Sequence, residues 1–289
     1  MNYDVIIIGA GPAGISAALT LKANGKTFAL LGSAQLSSKI YKAEEIRNYP
    51  GLSRVTGQAF QKALQEQLAQ EEIAVIEQKA TGVYAMKEKY AVTLESGELL
   101  ESKSIILACG VENIKEIDGE QAFLGRGVSY CATCDGFLYK GKTIAVLCTS
   151  KTLEHEVEYL AGIAGKVYLI PMYKNVEVVG ENVVKIVKLP KKIVGDKKVT
   201  GLLFDKPPVD GLSQELPIDG IFMLKECMSP TALVSGLQTK DGHVVIERNG
   251  ATSLLGCFAA GDCTGRPYQY AKAIGEGNVA AHSVVEYCK

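Results

Sequence analysis

Cys131 and Cys134 stand two residues apart in Tyr130-Cys131-Ala132-Thr133-Cys134-Asp135-Gly136. A two-residue spacer lets two thiols close a small disulfide ring and reopen it. At a helix start the exposed thiol of such a pair can have its pKa lowered toward about 7, which gives thiolate at working pH. Asp135 follows directly and is placed to relay the proton that dithiol chemistry must move. Zinc would use the same thiols, but a structural zinc site needs four ligands. The chain has no second C-x-x-C, and His155, His243 and His282 are dispersed. A redox dithiol is the favoured reading; half of a zinc site and an inert surface pair are the alternatives.

Two glycine turns point to a second kind of chemistry. Gly9-Ala10-Gly11-Pro12-Ala13-Gly14 matches G-x-G-x-x-G between the apolar run Val5–Ile8 and the helix-forming stretch Ile15–Ala23. That is the context in which the motif binds a dinucleotide. The first glycine makes the sharp turn, the second lets backbone N–H groups approach a pyrophosphate, and the third lets helix and strand pack closely. The helix N-terminus then holds the phosphate charge. The motif does not separate FAD from NAD. The acid expected about 20 residues on is replaced by Gly32 and Ser33, so adenosine recognition is expected to use backbone or Ser33. Phe258-Ala259-Ala260-Gly261-Asp262 reads as a buried strand ending in an acid ahead of a helix. In a flavin fold that Asp accepts a hydrogen bond from a ribityl hydroxyl, and the helix dipole favours the negative charge of the reduced ring. The plainer alternative is an Asp that caps the last helix. Taken with the first loop, flavin explains both turns.

These groups need a scaffold. At roughly 150 residues per domain, 289 residues suggest two domains. Hydrophobic residues make up 47% and charged residues 22%, values that argue against a disordered chain. The 31 basic and 32 acidic residues give a net charge of -1, without the basic excess of a nucleic-acid binder. No apolar run approaches a membrane span, and the first residues read as a strand rather than a signal peptide. A soluble cytoplasmic protein with neither nucleic-acid nor membrane partners is expected. Apart from the close pair, six of the eight cysteines then read as reduced, many of them as buried small hydrophobes.

Residues 4–31 read as strand, helix, strand, and Phe60–Glu72 as a helix with Phe60, Leu64 and Leu68 on one face. Ile73–Leu94 reads as strands or a hairpin, and Ser104–Leu107 as a buried strand closed by Ala108-Cys109-Gly110. A polar linker is expected around 112–118. Thr143–Leu147, Leu153–Ala161 and Val167–Ile170 make a second strand–helix–strand. Residues 176–224 read as a β meander turning at Gly180, Gly195-Asp196 and Asp210-Gly211, and a second crossing falls around Met228-Ser229-Pro230. A strand over Leu254–Ala260 and a helix from about Tyr268 to Tyr287 complete the chain. The expected fold is α/β, with two Rossmann-like nucleotide-binding domains of the three-layer ββα type. One domain is discontinuous, 1–114 and 229–289, around a central domain at 115–228.

The chain resembles the low-molecular-weight thioredoxin reductase family over essentially its whole length. The likeness rests on Gly9–Gly14, Asn48-Tyr49-Pro50-Gly51, Cys131-Ala132-Thr133-Cys134-Asp135, Phe258-Ala259-Ala260-Gly261-Asp262 and Gln269. The resemblance implies a homodimer, FAD in the discontinuous domain and the cysteine pair in the central one. It implies that Cys134 faces the flavin, that Cys131 attacks the partner disulfide and that Asp135 is the acid/base. It places FAD against Gly9, Gly11, Pro12, Ala13, Gly14, Ser33, Lys39, Ile40, Asn48, Val83, Cys109, Gly110, Gly261, Asp262, Tyr268, Gln269 and Tyr270. Ser37-Ser38-Lys39-Ile40 stands where the family has Gly-Gly-Gln-Leu, Cys109 where it has Thr, and Tyr268 where it has Arg.

The larger departure lies in the central domain. The family has a second glycine loop for NADPH after the strand at Thr143–Leu147; here the stretch is Cys148-Thr149-Ser150-Lys151-Thr152-Leu153. The next strand ends Ile170-Pro171-Met172-Tyr173 in place of a His-Arg-Arg run. A micromolar site corresponds to about 8 kcal/mol. Losing three charge-assisted bonds of about 1.5–3 kcal/mol each leaves millimolar affinity or worse. The pattern is similar to the ferredoxin-dependent flavin thioredoxin reductases, which implies ferredoxin as electron donor and thioredoxin as acceptor. One face of the pair cannot meet both flavin and partner, so the central domain is expected to swing. An NADPH-dependent thioredoxin reductase with a rearranged loop using Lys151 or Thr152, another flavin disulfide oxidoreductase, and a flavin redox sensor are the alternatives. Lys185, Lys188, Lys191, Lys192, Lys197 and Lys198 could meet an acidic donor, but an ordinary solvated hairpin is the favoured reading of that run.

Overall fold

The computed structural model describes residues 2–36, 38–41, 43–111, 116–209, 211–225 and 230–289. The chain forms two compact units, Met1–Val111 with Ser229–Lys289, and Glu112–Met228.

In the first unit β1 (Asn2–Ile8) leads into α1 (Pro12–Ala23) and β2 (Phe28–Leu31). Val5, Ile6, Ile7 and Ile8 are all buried, as the inner strand of a parallel sheet covered on both faces requires. The helix starts at Pro12, ahead of the apolar stretch, because the first helical position does not need the N–H that proline lacks. Next come α2 (Ser38–Tyr41), α3 (Gly57–Gln70), β3 (Val75–Ile76), β4 (Ala80–Ala85), β5 (Tyr90–Leu94) and β6 (Leu99–Leu107). Thr56 caps α3 by accepting the Ala59 N–H at 3.2 Å, and Phe60, Leu64 and Leu68 bury its apolar face. The sheet runs β3-β2-β1-β6-β5-β4, with β1 parallel to both β2 and β6.

The second unit holds β7 (Val128–Ser129), α4 (Ala132–Asp135), β8 (Thr143–Cys148), α5 (Glu154–Ile163), β9 (Lys166–Pro171) and β10 (Val183–Lys185). β11 (Lys192–Gly195), β12 (Val199–Leu203), β13 (Glu215–Pro217) and β14 (Gly220–Leu224) follow. Among the described residues of this unit, β11, β12 and β13 alone form an antiparallel meander. The expected meander over 176–224 is therefore too long at both ends. β10 joins β9 as a parallel edge strand, and β14 inserts between β8 and β7. β14 is buried at every residue, the signature of an inner parallel strand. Asp210 of the expected turn lies outside the described residues.

The chain then returns to the first unit as α6 (Pro230–Leu233), β15 (Thr239–Lys240), β16 (His243–Val244), β17 (Cys257–Ala259) and α7 (Tyr270–Tyr287). β17 lies parallel to β6 and is shorter than the expected 254–260, because Leu254–Cys257 is taken up by a turn in which the Cys257 N–H bonds the Leu254 carbonyl. α7 begins at Tyr270, not Tyr268, with Gln269 at its N-cap. Asp262 opens a separate 3-10 turn at Asp262–Thr264 and does not cap α7. Pro267 follows the turn on a cis peptide bond. α7 packs on α1 where a β-carbon at Gly277 would come within 2.1 Å of the Ala13 carbonyl oxygen. Of the two expected crossings, 112–115 and 226–229 lie outside the described residues.

Candidate active site

Cys131 and Cys134 are joined by a disulfide, their Cα atoms 5.3 Å apart. Cys131 is the N-cap of α4, and the Cys134 N–H donates to its Sγ at 3.2 Å. Cys134 is exposed and Cys131 half-buried. Ser129, the last residue of β7, organises the neighbours. Its hydroxyl accepts the Cys131 N–H at 3.1 Å and donates to Asp135 Oδ2 at 2.6 Å. The acid is thus tied to the backbone of the first cysteine. Among the described residues no group of three or more His, Cys, Asp or Glu could hold a metal ion.

In the first unit the glycine loop joins β1 to α1. Gly9 has φ +118°, and a β-carbon there would lie 2.3 Å from the Ala108 carbonyl oxygen; at Gly14 it would lie 1.8 Å from the Gly9 oxygen. These two glycines are demanded by the fold. Gly11 is different: a β-carbon there meets nothing within 4 Å. Its bare Cα faces open space at the mouth of α1, where a pyrophosphate approaches closely in this motif. Gly261, with φ +87°, brings the C-terminal turn against Ala13 of that loop, so two motifs 248 residues apart by their numbers meet. The loop and the turn together fit a dinucleotide cofactor.

The remaining candidates distribute around them. Asn48 Nδ2 donates to Gln269 Oε1 at 2.6 Å. The Tyr270 hydroxyl reaches the Lys39 carbonyl at 3.4 Å, and Lys39 Nζ donates to the Val111 carbonyl. Ile40 is buried, while Ser33 is exposed and accepts the Gln35 N–H at 3.1 Å. Cys109 is half-buried beside Gly110, which has φ +68°. Val83 is a core residue of β4, opposite Val92 and bridged to Val234. Burial pushes the Asp262 carboxyl up, and the Lys39 and Lys272 ammonium groups pull it back. Ser37 lies outside the described residues.

The matching turn of the second unit is built differently. The Thr149 N–H is taken by the Leu224 carbonyl at 3.0 Å. Lys151 pairs with Glu177, and the Thr152 hydroxyl bonds that of Ser150 at 2.9 Å. Glu154, the first residue of α5, is buried; its carboxylate accepts the Tyr173 hydroxyl at 2.8 Å and the Glu177 N–H at 3.0 Å. The start of this helix therefore carries an anion of the chain's own where the first unit leaves room for phosphate. Of the six clustered lysines, Lys185 and Lys188 bond carbonyls and Lys191 and Lys192 pair with Asp205 and Asp118.

Residues 3–180 match the Pyridine nucleotide-disulphide oxidoreductase family. The chain belongs to it. A thioredoxin reductase of Mycoplasma genitalium is 30% identical over 98% of this chain and 94% of its own length. The crystal structure of a ferredoxin-flavin thioredoxin reductase from Clostridium acetobutylicum is 42% identical, with a TM-score of 0.91 and coverage of 100% of this chain and 98% of that one. The chain spans 58% of the NADH dehydrogenase of Bacillus subtilis, to which it is 29% identical over 99% of its own length.

Residues that sequence reasoning missed brace the C-terminal turn. Behind Gly261, Glu276 Oε2 accepts the Gly261 N–H and the Thr264 hydroxyl, both at 2.8 Å. Lys272 Nζ donates to the Gly261 carbonyl at 2.9 Å and to Glu276 at 3.1 Å. The i,i+4 spacing of Lys272 and Glu276 was the one available signal. His243 Nε2 lies 2.7 Å from the Tyr268 hydroxyl; nothing local in the sequence links them. No described helix is long and apolar enough to cross a membrane.

Proposed function

We propose that this chain is an FAD-dependent enzyme that reduces the disulfide of thioredoxin with electrons from reduced ferredoxin. The observation that carries the choice of donor is the second turn, where Glu154 accepts the Tyr173 hydroxyl and the Glu177 N–H, Ser150 bonds Thr152, and no glycine opens a place for a nicotinamide's diphosphate. The likeness to a ferredoxin-flavin thioredoxin reductase supports the same choice.

The loop from Gly9 to Gly14 would hold the FAD pyrophosphate at the start of α1, with Gly11 leaving room for its approach, and Asp262, Asn48 and Gln269 would hold the rest of the cofactor. When bound, FAD accepts electrons singly and releases them in pairs. The protein's own residues handle the sulfur chemistry. Two ferredoxins supply two electrons, and with two protons these open the Cys131–Cys134 bond to two thiols. The Cys134 N–H, already aimed at Cys131 Sγ, favours the Cys131 thiolate through a charge-assisted bond. That thiolate attacks a thioredoxin sulfur; Cys134 then closes on Cys131 and releases the reduced partner. Asp135, held by Ser129, moves the proton. We also propose a homodimer in the cytoplasm, where thiol carriers stay reduced.

The test is an anaerobic titration of the yellow protein. Reduced ferredoxin bleaches it and NADPH leaves it oxidised. Bleaching by micromolar NADPH restores a nicotinamide donor and ends this reading.

A further inference from the structure

Glu120 and Lys225 form an ion pair inside the second unit. Lys225 Nζ donates to Glu120 Oε1 at 2.5 Å, with the side chains 6% and 1% exposed. The Tyr130 hydroxyl donates to the same oxygen at 2.6 Å, and the Ile117 N–H to Oε2 at 3.1 Å. The Lys225 ammonium also lies 5.4 Å from the centre of the Tyr130 ring. The chemistry proposed above uses none of these groups. Burying two charges costs desolvation, and apolar replacements are often neutral or stabilising. Net stability is therefore a weak explanation for the pair, and what it holds in place is the question.

The segments that meet on Glu120 identify what is controlled. β7 and β14 run parallel with Phe222 opposite Ser129, so Tyr130 and Lys225 leave the sheet at the same edge. β7 pairs over two residues only, Val128 and Ser129. Tyr130 is the next residue and Cys131 the one after it. Its bond to Glu120 thus anchors the residue that delivers Cys131 from the sheet to α4.

We propose that Glu120 and Lys225 are positioning residues for Cys131. Acting through Tyr130, they hold the closed geometry of the Cys131–Cys134 pair and so make the disulfide harder to open. The proposal rests on reading that pair as the redox centre.

The FAD-loaded protein is equilibrated without oxygen against graded ratios of reduced to oxidised dithiothreitol. Alkylation then traps the thiols, and mass spectrometry of the peptide carrying Tyr130–Asp135 counts them. In each exchange one dithiothreitol gives up two electrons and two protons. Its thiols close into a cyclic disulfide as the Cys131–Cys134 bond opens to two thiols. Tyr130→Phe removes only the hydroxyl and leaves the ring over Lys225. It shifts the exchange constant about tenfold toward the dithiol, the loss of one hydrogen bond to a charged group, equivalent to about 30 mV for a two-electron couple. The double variant Glu120→Gln with Lys225→Met shifts it in the same direction, and decides the matter if Tyr130→Phe does not fold. An exchange constant that stays at the wild-type value, with or without a lower Tm, overturns the proposal, because the network is then structural only. Thioredoxin reduction by the wild type is measured separately; its absence sinks the functional reading while a shifted constant still supports the positioning role.

Discussion

Glu154 accepts a hydrogen bond from the Tyr173 phenol at 2.8 Å, joining the first residue of α5 to the chain just beyond β9. Burial, with the Glu154 carboxylate beside it, pushes the phenol up. On the function proposed above, both residues stand where a nicotinamide-binding turn would expose backbone and cations, and their acid and hydroxyl would close that place.

Glu154→Ala tests the closure. It leaves the Tyr173 hydroxyl and the Glu177 N–H without this acceptor, at a cost of about 1–3 kcal/mol, measured by urea unfolding. NADPH affinity, followed by calorimetry, stays millimolar or weaker because the loop still lacks glycine. Micromolar binding by the variant would show that the carboxylate alone excludes the nucleotide.

Gly11 and Gly14 separate cofactor binding from folding. Gly11→Ala adds a methyl that meets no protein atom, so unfolding free energy stays within about 0.5 kcal/mol of wild type. Retention of FAD, read from flavin fluorescence after dilution, falls at least tenfold. Gly14→Ala drives a methyl into the Gly9 carbonyl and destabilises the protein by about 3 kcal/mol. Equal FAD retention by Gly11→Ala and wild type would remove the pyrophosphate from this loop.

Cys134→Ser abolishes transfer to thioredoxin and leaves the protein yellow. Asp135→Asn slows single-turnover transfer by about 100-fold, within the usual range for a lost acid/base. Ser129→Ala, which frees Asp135 from its hydroxyl donor, slows it less. Undiminished transfer by Asp135→Asn would move the proton relay elsewhere.

Asp4 provides a pH test remote from the redox pair. The Lys103 ammonium, with help from Thr27, holds its carboxyl down at about 2, against roughly 3.9 in an unfolded chain. The folded-state value is depressed, so the stabilisation is complete above about pH 4 and is lost as pH falls through 2. Solvent screening limits it to about 1 kcal/mol. Asp4→Asn flattens that part of the acid unfolding curve; an unchanged curve would mean that the ion pair contributes nothing.

The strands and helices read from local pattern fall close to their observed places where burial is one-sided or complete, as in β1, α3 and β8. The long meander failed because short apolar runs such as Gly220–Leu224 and Val199–Leu203 look alike in sequence, and only the choice of partner separates them. The Gly261-Asp262 turn was legible as a motif, but its distance from α7 was not. The helix starts only at Tyr270, and the Lys272–Glu276 bracket that steadies the turn comes from that helix.

By itself the sequence determined the groups whose chemistry is set within a few residues. The Cys131–Cys134 spacing limits the ring that closes, and Gly9–Gly14 limits the path from β1 to α1, because covalent geometry acts over short distances. Tertiary structure alone decided that Asn48 would meet Gln269, that Gly261 would lie against Ala13 and that Lys225 would find Glu120. A side chain's type says what bonds it can make. Which distant partner it makes them with depends on how sheets and helices bury their apolar faces, and that is settled by the whole chain together.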